Sequence, residues 1–257
     1  MNEPLALNIL PQPDDVTCGP TCLHAVYRYY GDPVSLEEVV QRTPQLEDGG
    51  TLAVLLGCDA LKNGYDATIY TYNLTVFDPT WFRYSDAHLV DKIRSQLLHK
   101  DSPKLHTASR GYLEFLSLGG QLRMRDLNRD LIVEHLNQSV PVLTGLSSTY
   151  LYQERRELNT TQEPDDVRGT PQGHFVVLRG YNREKKMVRV ADPYQKNPWS
   201  KNLDYEVPIE RVVCAILLGV LTYDANLLVI RPKNKPLPDE HTHELSDGSP
   251  TAATNLE

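Results

Sequence analysis

Apolar positions recur along the chain in two periods, and the changes between them mark its elements. Cys18, Cys22, Val26 and Tyr29 fall at i, i+4, i+8 and i+11, the spacing of one buried helical face. Gly19-Pro20 stands at the start of that run. Proline loses nothing in a first helical turn, where its missing N–H would be unpaired anyway. The spacing therefore predicts a helix that begins at Cys18. Gly31-Asp32-Pro33 makes a turn, and Ser35-Leu36-Glu37-Glu38 is a capping-box pattern that opens a short helix to about Arg42. Thr51–Asn63 carries Leu52, Leu55, Leu56 and Ala60 on one face with Gly64 as its stop, and Ala67–Leu74 reads as a strand.

From about Thr75 to Arg125 the pattern is helical again and has the character of an insertion. Asp86 caps a predicted helix to about Leu98, and a second runs over Ala108–Leu118 to Gly119-Gly120. Asp126–Gln138 is a further amphipathic helix that leads into the apolar strand Pro141–Leu146. Tyr152–Gln172 is polar, has no period and reads as a long loop. His174–Tyr181 and Met187–Ala191 form a predicted hairpin around Asn182–Lys186. Cys214–Leu221 and Leu227–Arg231 read as the strands that close the sheet. The pattern predicts a single domain over residues 1–231, with residues 232–257 an acidic disordered tail.

Composition narrows the partners. A hydrophobic content of 40% suits a core that needs neither disulfides nor a metal. A net charge of −8 argues against nucleic acid or an anionic membrane as the main partner. The longest apolar stretch, Val212–Ile230, is interrupted at Tyr223–Asn226 and reads as two strands rather than a membrane span. The N-terminus lacks a basic segment followed by a long apolar run, so no secretory signal is expected. Cys18, Cys22, Cys58 and Cys214 form neither a CxxC pair nor a disulfide framework, which fits a reducing cytoplasm. No cofactor and no metal are expected.

Chemistry enters through Cys18. At a helix N-terminus the unpaired amides and the positive end of the dipole favour a thiolate. A thiol there is either a nucleophile or a small core residue, and alone it decides nothing. The hairpin adds a second argument. Its turn gives opposed residues an index sum near 367, and the indices of His174 and Asp192 sum to 366. The two should be close neighbours at the open end of the hairpin. An imidazole with an adjacent carboxylate, aimed at a thiol, is the nucleophile–base–orienter arrangement. Gln12, six residues before Cys18, offers a side-chain amide that could join the Cys18 backbone N–H in holding an oxyanion.

The ordered motifs resemble a known family. Gln12-x5-Cys18-Gly19-Pro20-Thr21-Cys22-Leu23, then Tyr29-Tyr30-Gly31 and Val34-Ser35-Leu36-Glu37-Glu38, look like the opening of C39-like peptidases. Gly50-Thr51-Leu52, Gly64-Tyr65, Ser139-Val140-Pro141-Val142, Gly173–Tyr181 and Ala191-Asp192-Pro193 continue the likeness. These are papain-like cysteine peptidases best known for trimming leader peptides after a double glycine. The resemblance implies an α+β papain-like fold, with an N-terminal helical lobe packed on an antiparallel sheet. It implies Cys18 as nucleophile, His174 as general base and acid, Asp192 as orienter and Gln12 in the oxyanion hole. Thr17 departs from it, standing where many members carry an acidic residue, and residues 75–125 and 152–172 exceed a minimal domain of this kind. Both longer segments are expected to frame the cleft. The expected activity is thiol-dependent acyl transfer, hydrolysing a peptide or isopeptide bond of a peptide or protein substrate. The alternatives are an acyltransferase or transpeptidase with an amine acceptor, and a catalytically silent peptide-binding module.

Overall fold

The computed structural model describes residues 4–46 and 49–233. Its first half is helical around two strands: α1 (Cys18–Tyr29), α2 (Leu36–Arg42), α3 (Ala53–Lys62), β1 (Tyr65–Thr71), α4 (Asp86–His99), α5 (Pro103–Ser117) and the short β2 (Gln121–Arg123). The second half alternates: α6 (Arg129–Leu136), β3 (Val142–Ser147), α7 (Ser148–Tyr152), β4 (Gly173–Asn182), β5 (Met187–Ala191), β6 (Asp204–Pro208), α8 (Ile209–Leu218) and β7 (Asn226–Pro232). The seven strands make one sheet in the order β2-β1-β7-β3-β4-β5-β6. Only the β1–β2 pair is parallel; the other pairings are antiparallel. The architecture is the expected α+β class, with helices from the N-terminal half packed on a largely antiparallel sheet. Among the described residues no helix is long and apolar enough to cross a membrane.

Both sheet faces are covered, which explains why β3 and β4 are nearly continuous apolar runs. Phe175, Val177, Leu143 and Leu228 point into one core with α1, α3 and α5. Val176, Leu178, Val142 and Val229 point into the other, beneath α6 and α8. Local signals hold at α2, where the Glu38 amide donates to Ser35 Oγ (3.2 Å) and the Ser35 amide to Glu38 Oε2 (3.1 Å). Such a cap stabilises a helix by about 1 kcal/mol.

Some boundaries move, and one element changes type. Residues expected as the strand Cys214–Leu221 belong to helix α8 and a following 3-10 turn, Gly219–Thr222. Ile209, Val212, Ala215 and Ile216 are buried at helical spacing, but Leu217 and Leu218 are apolar and exposed. Apolar residues on both faces hide the 3.6 period. The helix expected from Asp126 starts at Arg129 with Asn128 as its cap, and Ser85 rather than Asp86 caps α4. Strand β6 carries the alternation Asp204-Tyr205-Glu206-Val207 and was not expected. Residue 232 ends β7, and residues 234–257, expected as the tail, lie outside the described residues.

The β4–β5 hairpin is irregular at one point. Gly180 opposes Arg189 while Leu178 opposes Val190, so Arg179 is an extra, bulged residue. The N-terminal segment fills the irregularity: the Leu5 amide donates to the Arg179 carbonyl (2.7 Å), and Arg179 Nη1 donates to the Leu5 carbonyl (2.6 Å). Gly180 allows this approach, since a Cβ there would stand 3.1 Å from Pro4. The bulge carries the pairing forward by one, placing Asp192 on the sheet face of Val176 and His174.

Candidate active site

Cys18 is the first residue of α1 and is buried at 8% exposure in the core it shares with Phe175. Thr17 precedes it without capping the helix, because its hydroxyl is turned to the Asp14 carbonyl (3.3 Å). The first amides of α1 therefore keep no side-chain cap and remain donors beside the sulfur. A glycine must follow. A Cβ at Gly19 would lie 2.6 Å from Thr51 Cγ2 and 3.2 Å from Phe175 Cδ2, and Thr51 is held through its hydroxyl to the Pro44 carbonyl (2.9 Å). Gly19→Ala is expected to cost about 1–3 kcal/mol by overpacking, read as a lowered midpoint in denaturant unfolding. An unchanged midpoint would show that α1 has slack at this point.

His174 opens β4 and Asp192 follows β5. His174 Nε2 and Asp192 Oδ1 are 2.8 Å apart, and Asp192 is fully buried. The Cys18 sulfur is near enough to the same imidazole to favour its charged form. With Nε2 committed to Asp192, Nδ1 is the nitrogen left for the sulfur. Burial by itself would lower the His174 pKa. The Asp192 carboxylate, the Cys18 sulfur and the Asp192 hydrogen bond overcome it and push the imidazole up to about 10. Burial likewise opposes ionisation of Asp192, yet His174 and two tyrosine hydroxyls hold its carboxyl below the usual range.

The carboxylate is fully used. Oδ1 also accepts the Tyr194 amide (2.9 Å), an Asx-type turn through Pro193. Oδ2 accepts Tyr205 Oη (2.6 Å) and Tyr152 Oη (2.7 Å). One turn below Cys18, the Cys22 thiol donates to the Phe175 carbonyl (3.2 Å). Burial first, then Cys18 and Asp192, raise its pKa well above the ordinary value, so Cys22 is a protonated core residue.

Gln12 is tied to the same corner, its amide N–H donating to the Pro193 carbonyl (3.0 Å). Its side chain is not directed as simply as the sequence predicts. Nε2 donates to the Asp14 carbonyl (2.8 Å), and Oε1 is buried with no partner among the described residues. One of the two Nε2 hydrogens remains to donate. Gln12 and His174 line a cavity of about 290 Å³ together with Gly173, Tyr152, Tyr194 and the 153–172 segment (Glu154, Arg155, Glu157). No residue lining this cavity comes from 75–125, whose helix α5 packs against α3 in the core shared with α1. Of the two segments expected to frame the cleft, one does so here.

A model of the Peptidase_C39 like family matches residues 4–213. The chain belongs to that family. A protein from Bacillus anthracis described as a C39-like peptidase has the same fold, with a TM-score of 0.50 at 15% identity, covering 91% of this chain and 100% of that one. A double glycine motif protease from an AMS/PCAT transporter, solved with a leader peptide, matches with a TM-score of 0.43 at 15% identity over 90% of this chain and 96% of that one. The peptidase domain of Streptococcus ComA matches with a TM-score of 0.41 at 14% identity over 88% and 99% of the two chains. No curated protein matches the chain.

Within this Peptidase_C39 like chain, four residues named from the sequence gather at one corner: His174 bonded to Asp192, Cys18 near the same imidazole, and Gln12 on the wall of the adjoining cavity. Sequence reasoning misses Tyr152, Tyr194 and Tyr205. Asp192-Pro193-Tyr194 carries a readable turn signal, but nothing local marks a tyrosine whose hydroxyl meets a carboxylate 40 residues away.

Proposed function

We propose that this protein is a cysteine peptidase that cleaves a peptide or isopeptide bond through a thioester. The observation that carries the reading is one imidazole held through Nε2 on a buried carboxylate at 2.8 Å, with the Cys18 sulfur near enough to favour its charged form. Cys18 Sγ attacks the carbonyl carbon as thiolate, with His174 as imidazolium. The oxyanion forms beside the Cys18 backbone N–H and the uncommitted Gln12 Nε2 hydrogen. His174 Nδ1 gives its proton to the leaving amine as the C–N bond breaks, leaving the acyl group on sulfur. Neutral His174 then takes a proton from water, whose oxygen attacks the thioester carbon. Collapse of that second intermediate releases the acid and restores the ion pair. Asp192 stays ionised throughout and orients the ring. The chemistry itself needs no cofactor. Membership of a peptidase family and the polar cavity beside His174 support a peptide or protein substrate.

The test is mass analysis of products from a peptide library, with and without an added amine, using wild type and Cys18→Ala. Acid products that require Cys18 are expected. Amide products with the added amine would make the protein an acyltransferase. Binding without turnover, unchanged in Cys18→Ala, would make it a peptide-binding module. Gln12→Ala is expected to lower kcat by about 10²–10³-fold with KM little changed, as loss of one oxyanion donor does. An unaltered kcat would leave the oxyanion to backbone amides alone.

A further inference from the structure

Asp192 uses its two oxygens differently. Oδ1 faces His174 Nε2, whereas Oδ2 receives two phenols and nothing else among the described residues. The phenols come from separate parts of the fold. Tyr205 lies on edge strand β6, its ring stacked on Trp199 (6.4 Å, 23°), and Trp199 is pinned by Nε1 donating to the Leu151 carbonyl (3.2 Å). Tyr152 ends α7, its ring stacked on Tyr194 (6.1 Å, 24°), and it also lines the 290 Å³ cavity. Phenylalanine at either place would cover the same apolar surface. Only the hydroxyls put two donors on one carboxylate oxygen.

That arrangement answers a physical problem. A buried carboxylate with one cationic neighbour tends to take up a proton or to rotate away from its partner. We propose that Tyr205 and Tyr152 are positioning residues for the proposed catalytic pair, holding the Asp192 carboxylate ionised and in the one rotation that keeps Oδ1 on His174 Nε2. The proposal rests on the reading of Cys18, His174 and Asp192 as the catalytic residues. Tyr205 acts from the sheet. Tyr152 acts from the cavity wall, so substrate lying against that wall packs on a residue that touches the orienting carboxylate.

The groups facing Asp192 are His174 from β4, Tyr152 from α7, Tyr205 from β6, Tyr194 beyond β5 and the Cys22 thiol from α1, with the Cys18 sulfur near His174. Of these, His174 supplies the positive charge. Burial pulls the Asp192 pKa up, and the His174 charge and hydrogen bond, then the Tyr205 and Tyr152 hydroxyls, pull it down. Losing one hydroxyl therefore raises it. The experiment follows the Asp192 side-chain carboxyl by ¹³C NMR through an acid titration of the full chain, in wild type, Tyr205→Phe and Tyr152→Phe. The same titrations are repeated on the Cys18→Ala background. The pH dependence of kcat/KM is measured alongside for the three active proteins, and unfolding midpoints near neutral pH confirm that each is folded.

Each phenylalanine variant is expected to raise the carboxyl midpoint by about one pH unit. The acid limb of kcat/KM should move with it, an approximately tenfold loss on that limb with the plateau above it nearly kept. A carboxyl midpoint that does not move in either folded variant would overturn the proposal. So would a midpoint that moves while the acid limb stays in place, because the phenols would then be structural only. A wild type with no turnover and no selective Cys18 reactivity would instead overturn the catalytic reading. The titration in Cys18→Ala would still decide whether the phenols hold the anion.

Discussion

At about pH 6, iodoacetamide is expected to alkylate Cys18 faster than Cys22, Cys58 or Cys214, and His174→Ala should abolish that advantage. An ordinary thiol, with a pKa of about 8.5, is almost wholly protonated there and reacts slowly. Cys18 differs in lying near an imidazole that its surroundings keep protonated, up to about 10. The other three thiols serve as internal references. Burial, with a smaller part from Glu114, pushes the Cys58 thiol up to about 12, and Cys22 is raised by burial and by Cys18 and Asp192. Cys214 is exposed and reports simple access. Peptide mass analysis reads all four sites in one sample. Turnover should fall by about 10⁴-fold or more in Cys18→Ala, the scale seen when a nucleophile is removed from a triad. Labelling of Cys18 no faster than Cys214, in a folded protein, would remove the thiolate–imidazolium pair from the account.

Asp192→Ala should produce the largest loss of stability in the site, about 3–5 kcal/mol in denaturant unfolding, because it strands a buried imidazole and two buried phenols at once. A loss below about 1 kcal/mol would mean that water reaches the corner and replaces the carboxylate. The pair also sets a pH dependence whose sign follows from its shifts. The folded Asp192 pKa is depressed, so its contribution is present above about pH 4 and is lost as pH falls through the folded value. The folded His174 pKa is raised to about 10, so its contribution is complete below about 6.5 and is lost as pH rises through about 10. Asp224 adds a decline of its own as pH rises through the acid range. Burial, only partly offset by the Thr222 hydroxyl, Lys104 and His174, raises its carboxyl to about 7, so keeping it in the fold becomes costlier between about pH 4 and 7. Subtracting the profile of His174→Ala isolates the alkaline part. Wild type should lose stability between about pH 6.5 and 10 by an amount that the variant does not.

Much of the site is legible in the sequence because its signals are local. A glycine–proline pair before an apolar stripe places Cys18 at a helix start, and observed α1 begins there. A polar turn between two apolar runs gives the β4–β5 hairpin, and the end of that hairpin brings His174 near Asp192. Secondary structure is less secure where neither period stands out. Helix α8 is apolar on its exposed face as well, and β6 is short and set among turns. The second half of the corner has no local signal at all. Tyr152 and Tyr205 reach Asp192 from separate elements, and the Gln12 side chain gives one of its amide hydrogens to the Asp14 carbonyl.

The deciding step belongs to the tertiary structure. Hairpin arithmetic brings Asp192 to within one residue of its place, and in a strand one residue is the difference between the two faces. With the pairing of Gly180 and Arg189 continued unchanged, Asp192 would point to the face of Val177, away from His174. The extra residue at Arg179, held by Leu5 from the far end of the chain, turns it to the face of His174. The sequence by itself determined which groups could meet, through helix spacing, turn chemistry and alternation. Which side of the sheet they meet on was decided by a contact 174 residues apart in the chain, because register is a property of packed strands and not of either strand alone.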